Sequence, residues 1–181
     1  EITFTLAEGF DNNDFRISDG NNLHFWDGLD YENPEDQDNN NIYEIAVTAT
    51  NSIGSTTQNI TVTINNTNDE AVVCQSNSVF EQIAEGFGSV TINVSNQLSS
   101  CVDVDGFPIT FDLDYAGNQG DEDILNAVLD TVNQTLTVDT TNIDYENAQD
   151  ANDDNIYFFY IEVNDGGSSD IISVNIPIQN V

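Results

Sequence analysis

The chain contains the stretch DYENPEDQDNNNIY at residues 30–43 and repeats it as DYENAQDANDDNIY at residues 144–157, with 8 of 14 positions identical at an offset of 114. A second match joins ITFTL at residues 2–6 to ITFDL at residues 109–113, at an offset of 107. One spacing of about 110 residues therefore relates two copies. A period of that length indicates tandem domains rather than a solenoid.

The two copies differ at their starts. About 38 residues, 71–108, precede the ITF strand of the second copy, whereas the first copy begins directly at its ITF strand. We therefore expect a partial domain at residues 1–68, which lacks its N-terminal strands, and a complete domain at residues 69–181. An incomplete sandwich exposes a sheet edge, which another segment covers in proteins that use strand addition.

Apolar residues alternate with polar ones in both copies, which is the period of a half-buried strand. The alternating sets are Ile45, Val47 and Ala49; Ile60, Val62 and Ile64; and Ile172, Val174 and Ile176. Turn-forming residues cluster between them, at 51–54 and 164–167. This pattern predicts an all-β fold of tandem immunoglobulin-like Greek-key sandwiches. A helical pattern lies at residues 121–130, where we predict a short helix.

The charge balance is extreme. The chain has 33 acidic residues against one basic residue, Arg16, which gives a net charge of -32. Such a chain cannot neutralise phosphates, so we exclude nucleic acid and anionic membrane surfaces as partners. It also has no apolar run long enough for membrane insertion. Carboxylates about 4 Å apart repel by about 4 kcal/mol near a protein surface, so the neutralising cations must come from solution.

Cys74 and Cys101 are the only cysteines. An even pair in an acidic, loop-rich chain favours a disulfide in an oxidising, extracellular setting. A metal site is the weaker interpretation, because it normally uses more sulfur and nitrogen ligands. Two unpaired buried thiols are the remaining alternative.

Oxygen donors are concentrated in a few short segments. They are DYE at residues 30–32 and 144–146, DVDG at residues 103–106, and NTNDE at residues 66–70. In an extended segment, alternate carboxylates lie on one side. Hard cations such as Ca²⁺ take 6 to 8 oxygen ligands, so these segments are candidate calcium ligands.

These segments resemble the cadherin repeat, especially its bacterial cadherin-like form. The resemblance rests on LDYE at 29–32, IDYE at 143–146, DVDG at 103–106, and NTNDE at 66–70, which is similar to the D-x-N-D-N linker of the family. It covers the second copy and the latter part of the first. It implies a non-catalytic piece of a large bacterial surface or secreted adhesin. Its partners would be neighbouring repeats and another adhesin, a cell-surface protein or a polysaccharide.

The resemblance also implies a calcium cluster at the junction of the copies. Its ligands would be Asp30, Glu32, Thr67, Asn68, Asp69, Glu70, Asp103, Asp105 and Asp165, with Asn66 at the position of the linker's first Asp. Asn66 and Glu70 depart from the Asp and Asn that are usual there, so we expect fewer or weaker ions than in a full site. A second, outgoing half-site would comprise Glu85, Asp144 and Glu146. Asn51 stands in the first copy where Asp165 stands in the second.

Two further acidic loops, at residues 36–40 and 150–154, alternate oxygen donors as a calcium loop does. Neither has the closing bidentate Glu of such a loop. We favour solvated turns here, because charged runs usually face solvent.

Catalysis finds little support in the sequence. His24 is the only histidine, and no Ser/His/Asp or Cys/His set has a suggestive spacing. A glycosidase needs a carboxylate pair, but among 33 acids such a pair is uninformative. The alternative function is a carbohydrate-binding sandwich that uses exposed aromatic residues at 24–27 or 157–160. Trp26 is the strongest candidate for an exposed sugar platform.

Overall fold

The computed structural model describes residues 1–9, 11–18, 21–26, 28–113 and 121–181. These residues form two compact units, Glu1–Thr67 and Asn68–Val181. Both units consist mainly of β-strands, and the described helical segments are single turns.

The described strands of the first unit are β1 (Thr3–Leu6), β2 (Phe15–Ser18), β3 (Asn22–Phe25), β4 (Ile42–Thr50) and β5 (Ser55–Thr63). β4 pairs antiparallel with β1 on one edge and with β5 on the other, while β2 pairs antiparallel with β3. A 3-10 turn, Asn12–Asp14, leads into β2.

The core of the first unit is small and aromatic. Phe15, Tyr43 and Ile45 are buried. The rings of Phe15 and Phe25 lie 4.2 Å apart, and Phe25 meets Tyr43 edge-on at 5.4 Å. Aromatic pairs in these geometries add to the stabilisation from burial. The apolar residues of β5 are only partly buried against this core.

The strands of the second unit are β6 (Val73–Cys74), β7 (Ser78–Phe80), β8 (Ile83–Ala84), β9 (Ser89–Asn93), β10 (Cys101–Val102), β11 (Thr110–Asp112), β12 (Val128–Asp130), β13 (Thr135–Asp139), β14 (Ile156–Asn164) and β15 (Ser169–Gln179). One sheet has the order β11-β14-β15-β7, with β8 also paired to β15, and a second has the order β12-β13-β9. β6 and β10 form a separate pair. The turns are α1 (Ser95–Leu98) and a 3-10 turn, Tyr145–Asn147.

The core of the second unit lies between these two sheets. Alternate residues of β14 and β15 are fully buried: Tyr157, Phe159, Ile161, Val163, Ile172, Val174 and Ile176. They share one hydrophobic cluster with Ile92 of β9 and with Leu136 and Val138 of β13. The all-β prediction of immunoglobulin-like sandwiches is therefore confirmed.

The two units differ in the strands that the structure describes. In the second unit, β15 pairs with β14 on one edge and with β7 and β8 on the other. In the described part of the first unit, β5 pairs with β4 alone. Strands equivalent to β6 through β10 are absent from the described residues of that unit.

The predicted helix at residues 121–130 is wrong. Residues 121–126 form turns, and β12 begins at Val128. The carboxylate of Asp121, the first residue of the predicted helix, accepts hydrogen bonds from the amides of Phe158 and Ala151. Asn126 then takes a left-handed conformation with φ 45°. These contacts with distant segments outweigh the local helical pattern.

Cys74 and Cys101 form a disulfide, as we expected. The two residues are register partners on β6 and β10, and both are buried. Their sequence separation is 27 residues. The bridge therefore ties the start of the second unit to the segment that carries Asp103 and Asp105.

We predict that the double variant Cys74→Ala, Cys101→Ala lowers the free energy of unfolding of the second unit by about 3 kcal/mol, since the bridge restricts the unfolded chain. Chemical unfolding followed by circular dichroism measures this loss. The fluorescence of Trp26, the single tryptophan, follows the first unit and should keep its midpoint. Equal losses in both signals would contradict the assignment of the bridge to one unit.

Candidate metal centre

Asp165 organises the turn between β14 and β15. Its Oδ1 accepts hydrogen bonds from the amides of Gly167 and Ser168, at 2.7 and 2.5 Å. Its Oδ2 accepts from the Ser168 hydroxyl at 2.6 Å and from the amide of Val72 at 3.1 Å. The bonds from the Ser168 hydroxyl and amide hold the pKa of Asp165 far below its usual range. The carboxylate is therefore charged at any physiological pH.

Asn68 contacts the same turn. Its Nδ2 donates to the backbone oxygen of Asp165 at 2.9 Å. A Cβ on Gly167 would lie 3.0 Å from Cγ and Oδ1 of Asn68, so the contact requires glycine at position 167. Oδ1 of Asn68 is buried and has no hydrogen-bond partner among the described residues. A buried amide oxygen of this kind calls for a ligand.

Asp103 and Asp105 hold the adjoining loop. Asp103 accepts hydrogen bonds from the amides of Asp105 and Phe107, at 2.9 and 2.8 Å. Oδ2 of Asp105 accepts from the amides of Asp69 and Glu70, at 2.9 and 2.8 Å. Both aspartates are buried. Asp105 therefore fixes the path of the backbone that carries the side chains of Asp69 and Glu70.

These contacts join six predicted ligands of the second unit in one connected set. The six are Asn68, Asp69, Glu70, Asp103, Asp105 and Asp165. Asn68 contacts the Asp165 turn, and the next two residues contact Asp105, so the set is continuous. Apart from the amide nitrogen of Asn68, the polar side-chain atoms of this set are all oxygens. Oxygens are the ligands that a hard cation such as Ca²⁺ takes.

A second cluster comprises Glu85, Asp144 and Glu146. Carboxylate oxygens of these three residues lie within 4.8 Å of one another. Glu85 accepts hydrogen bonds from the amides of Tyr145 and Val181, at 2.7 and 3.1 Å. Like charges held this close repel, and a cation would relieve the repulsion.

The two clusters lie at opposite ends of the β14–β15 hairpin. Asp165 is in the hairpin turn, whereas Glu85 donates its amide to Gln179, the last residue of β15. The hairpin has nine register pairs. At the usual rise per residue, its ends are about 30 Å apart.

The other predicted ligands belong to the first unit, which contains Asp30, Glu32, Asn66 and Thr67. Oδ1 of Asp30 accepts hydrogen bonds from the amides of Glu32 and Asn33, at 3.0 and 3.1 Å. Oδ1 of Asp144 accepts from Glu146 in the same way, at 3.0 Å. The two DYE segments therefore share one local geometry.

Each unit contains one pair of buried carboxylates, at equivalent positions, that the sequence did not reveal. In the first unit, Asp11 accepts from the amides of Gln37 and Glu44. In the second unit, Asp121 accepts from Ala151 and Phe158, which are the equivalent residues. Asp11 and Asp121 lie outside the matched blocks, so the repeat comparison did not align them.

The other member of each pair lies in a loop that we interpreted as a solvated turn. Asp36 and Asp150 are only 2% and 4% exposed. Asp36 accepts from the amides of Asn40 and Asn41, and Asp150 from those of Asp154 and Asn155. Burial raises the pKa of Asp36, but the bonds from Asn40 and Asn41 outweigh it and leave the pKa below its ordinary value. The two loops do form turns, but these two carboxylates face the protein interior rather than solvent. The same residue, Asp, stands at the equivalent position of both copies, and this was the sequence signal that could have identified them.

Of the comparisons with known proteins, only the comparison of structures gives matches. No family profile matches the sequence, and no curated protein sequence matches it either. Solved cadherin ectodomains do match. Drosophila N-cadherin EC1-4 superposes with a TM-score of 0.67 at 20% identity, over 99% of this chain and 41% of that one. Human protocadherin-24 EC1-2 (form II) gives 0.62 at 15% identity, over 98% and 81%.

The protocadherin gammaB4 extracellular domain gives a TM-score of 0.56 at 18% identity, over 98% of this chain and 27% of that one. The chain thus spans less than half of the length of the Drosophila N-cadherin and protocadherin gammaB4 chains. These similarities show the fold: the chain has a cadherin-like β-sandwich architecture. Among the described residues, no helix has the length and apolar character needed to cross a lipid bilayer.

The Asp165 carboxylate predicts a specific pH dependence. Since its pKa in the folded state lies below the ordinary value of 3.8, it stabilises the second unit above that pH. This stabilisation is lost as the pH falls below about 3.8. We predict that Asp165→Asn melts at a lower temperature at pH 7 and loses less stability between pH 4 and pH 2, as measured by circular dichroism. Glu81→Gln, an exposed carboxylate on another loop, is the control and should melt as the parent does at both pH values.

Proposed function

We propose that the chain is a calcium-stiffened adhesion and spacer module of a bacterial cell-surface or secreted protein. It would consist of a partial cadherin-like repeat at residues 1–68 and a complete repeat at residues 69–181. Its work would be mechanical and adhesive rather than enzymatic. Its partners would be neighbouring repeats, and beyond them another adhesin, a cell-surface protein or a polysaccharide.

One observation carries this proposal: the cluster of oxygen donors at the start of the second unit. Asn68, Asp69 and Glu70 are held there by hydrogen bonds to Asp165 and Asp105. The buried Oδ1 of Asn68 supports a ligand at this place. An ion is the expected ligand, since the chain offers a single basic side chain for 33 acids.

In the proposed site, Asp30, Glu32, Asn66 and Thr67 of the first unit complete the coordination of Ca²⁺. The ions would then neutralise carboxylates from both units. Without ions, the same charges repel one another and the linker bends freely. With ions bound, shared ligands fix the angle between the repeats, and the chain becomes a stiff rod.

The cluster of Glu85, Asp144 and Glu146 serves in this proposal as the outgoing half of a further site. It lies one hairpin length from Asp165, at the other end of β15. Asn180 donates to Glu146 at 2.6 Å, and Val181 to Glu85 at 3.1 Å, so the chain after β15 lies against this cluster.

We predict that Asp69→Asn weakens calcium binding by roughly tenfold or more, since one carboxylate near a surface contributes on the order of 4 kcal/mol to a unit charge at 4 Å. The backbone contacts of residue 69 do not use its side chain and should remain. Titration calorimetry measures the affinity and the stoichiometry. Glu81→Gln removes the same charge elsewhere and is the matched control. Equal affinities for the two variants would remove Asp69 from the site.

Carbohydrate binding is a second candidate, which one observation in the first unit favours. Trp26 is 57% exposed and lies beside a cavity of about 230 Å³, whose wall includes Asp14, Glu35 and Tyr43. Burial, followed by the charges of neighbouring acids, raises the pKa of Asp14. A ring that stacks with a sugar, next to groups that accept hydrogen bonds from hydroxyls, is typical of such sites.

If the chain binds carbohydrate, it should bind spots on a polysaccharide array. We predict that Trp26→Ala loses at least roughly 90% of that signal, because truncation of an aromatic anchor typically costs a binding site that much affinity. Phe80→Ala is the matched control, because Phe80 is exposed and lies in the other unit. A signal that persists in Trp26→Ala would reject this site.

A further inference from the structure

One cavity of the first unit combines an aromatic wall with two carboxylates. Its volume is about 230 Å³. Phe25, Trp26 and Tyr43 supply the aromatic part of its lining, and Asp14 and Glu35 supply the acidic part. The ring of Trp26 is exposed, whereas Tyr43 is buried. A ligand that enters this cavity therefore meets an exposed indole ring and negative charge together.

The second unit has the same local backbone at position 14 without the acid. The amide of Asp14 donates to the backbone oxygen of Asp11 at 3.1 Å, and the amide of Ile124 donates to that of Asp121 at the same distance. Ile124 is therefore the equivalent of Asp14, and it packs against the hydrophobic core. The turn forms with an apolar side chain at this position, so it does not require the carboxylate.

The same comparison holds for Glu35. Its amide donates to the hydroxyl of Tyr43 at 3.3 Å, and the amide of Gln149 donates to the hydroxyl of Tyr157 at 3.3 Å. The loop thus forms equally with a neutral side chain. Both carboxylates of the cavity belong to the first unit alone, and the fold needs neither of them.

These carboxylates carry an electrostatic cost. Burial, followed by the negative charges of Asp11, Glu35 and Asp36, raises the pKa of Asp14. Like charges held together in a cleft, where the fold does not require them, are typical of a functional site. A cation in the cavity would remove the repulsion.

The ring of Trp26 already holds one cation. Cζ of Arg16 lies 5.0 Å from the centroid of this ring, which is the geometry of a cation–π contact. Arg16 is the only Lys or Arg of the chain, and it is not among the residues that line the cavity. A cation that pairs with Asp14 and Glu35 therefore comes from a ligand.

We propose that this cavity binds an amino sugar whose amine is free and positively charged. The ammonium group pairs with Asp14 and Glu35, and the C–H face of the sugar ring stacks on Trp26. The proposal rests on the carbohydrate candidate described above and adds the class of sugar. An acidic sugar does not fit, because a chain of net charge -32 repels it. A lysine side chain of a partner protein is a poorer occupant, since it offers no ring face to cover the exposed indole.

The test is titration calorimetry of the full chain with three probes at physiological ionic strength, where attraction between distant exposed charges is screened. The probes are a linear tetramer of β-linked glucosamine, the same tetramer fully N-acetylated, and tetralysine. Acetylation keeps the sugar rings and removes the charge, whereas tetralysine keeps the charge and removes the rings. We expect the glucosamine tetramer to bind at least about tenfold more tightly than either of the other probes.

The variant Asp14→Asn, Glu35→Gln should lose about tenfold or more of the affinity for the glucosamine tetramer. Glu35→Gln introduces the residue type that stands at position 149, so the loop should fold. The matched control, Glu8→Gln, Glu81→Gln, removes the same charge from exposed positions and should keep the affinity of the parent.

The other outcomes separate this proposal from the carbohydrate candidate. Tighter binding of the acetylated tetramer overturns the requirement for a free amine and leaves a carbohydrate site in place. Tetralysine that binds as tightly as the amino sugar assigns the cavity to a basic peptide and overturns the proposal. Equal losses in the two double variants overturn it as well, because they indicate general attraction of cations. Absence of binding to both sugars overturns the proposal and the carbohydrate candidate together.

Discussion

The structure depends on how carboxylates are stabilised in a chain that has almost no basic side chains. A buried carboxylate without a partner is strongly unfavourable, and most proteins supply Lys or Arg. Here the partners are backbone amides. The aspartates that are stabilised in this way are Asp11, Asp36, Asp103, Asp105, Asp121, Asp150 and Asp165. Each one ties a loop to a strand or closes a turn, so the acidic composition is part of the fold.

The two copies show which of these roles need charge. Oδ1 of Asn51 accepts hydrogen bonds from the amides of Ile53 and Gly54, as Oδ1 of Asp165 does from Gly167 and Ser168. The turn therefore forms with an amide or with a carboxylate. Only Asp165 carries the negative charge, and it does so where Asn68 and the Asp105 loop converge. Charge at this turn thus accompanies the oxygen cluster rather than the turn itself.

The sequence predicted the features that repeat or alternate. Strict alternation placed Ile172, Val174 and Ile176 on one face, and all three are fully buried. The repeat offset located the shorter copy, and the even cysteine pair indicated the disulfide. The resemblance to the cadherin repeat selected both Asn68 and Asp165, whose contact spans 97 residues and has no local signal.

What the sequence missed depends on contacts that only the folded chain makes. Because they lie in charged runs, we expected Asp36 and Asp150 to face solvent. Both carboxylates instead face the protein, where they accept hydrogen bonds from backbone amides of their own turns. The apolar spacing of residues 121–130 was compatible with a helix, but Asp121 is held by an amide 37 residues away. The conformation of a short polar segment depends on which backbone amides the tertiary structure brings close to it. A single sequence does not show which amides these are.

The position of the two acidic clusters on one hairpin has a mechanical consequence. Asp165 and Gln179 are joined covalently through β15. Tension applied between these two points would therefore run along the backbone of β15 and would leave its nine register pairs with β14 unloaded. The same hairpin pulled apart at the ends of its two strands would instead unzip one pair at a time.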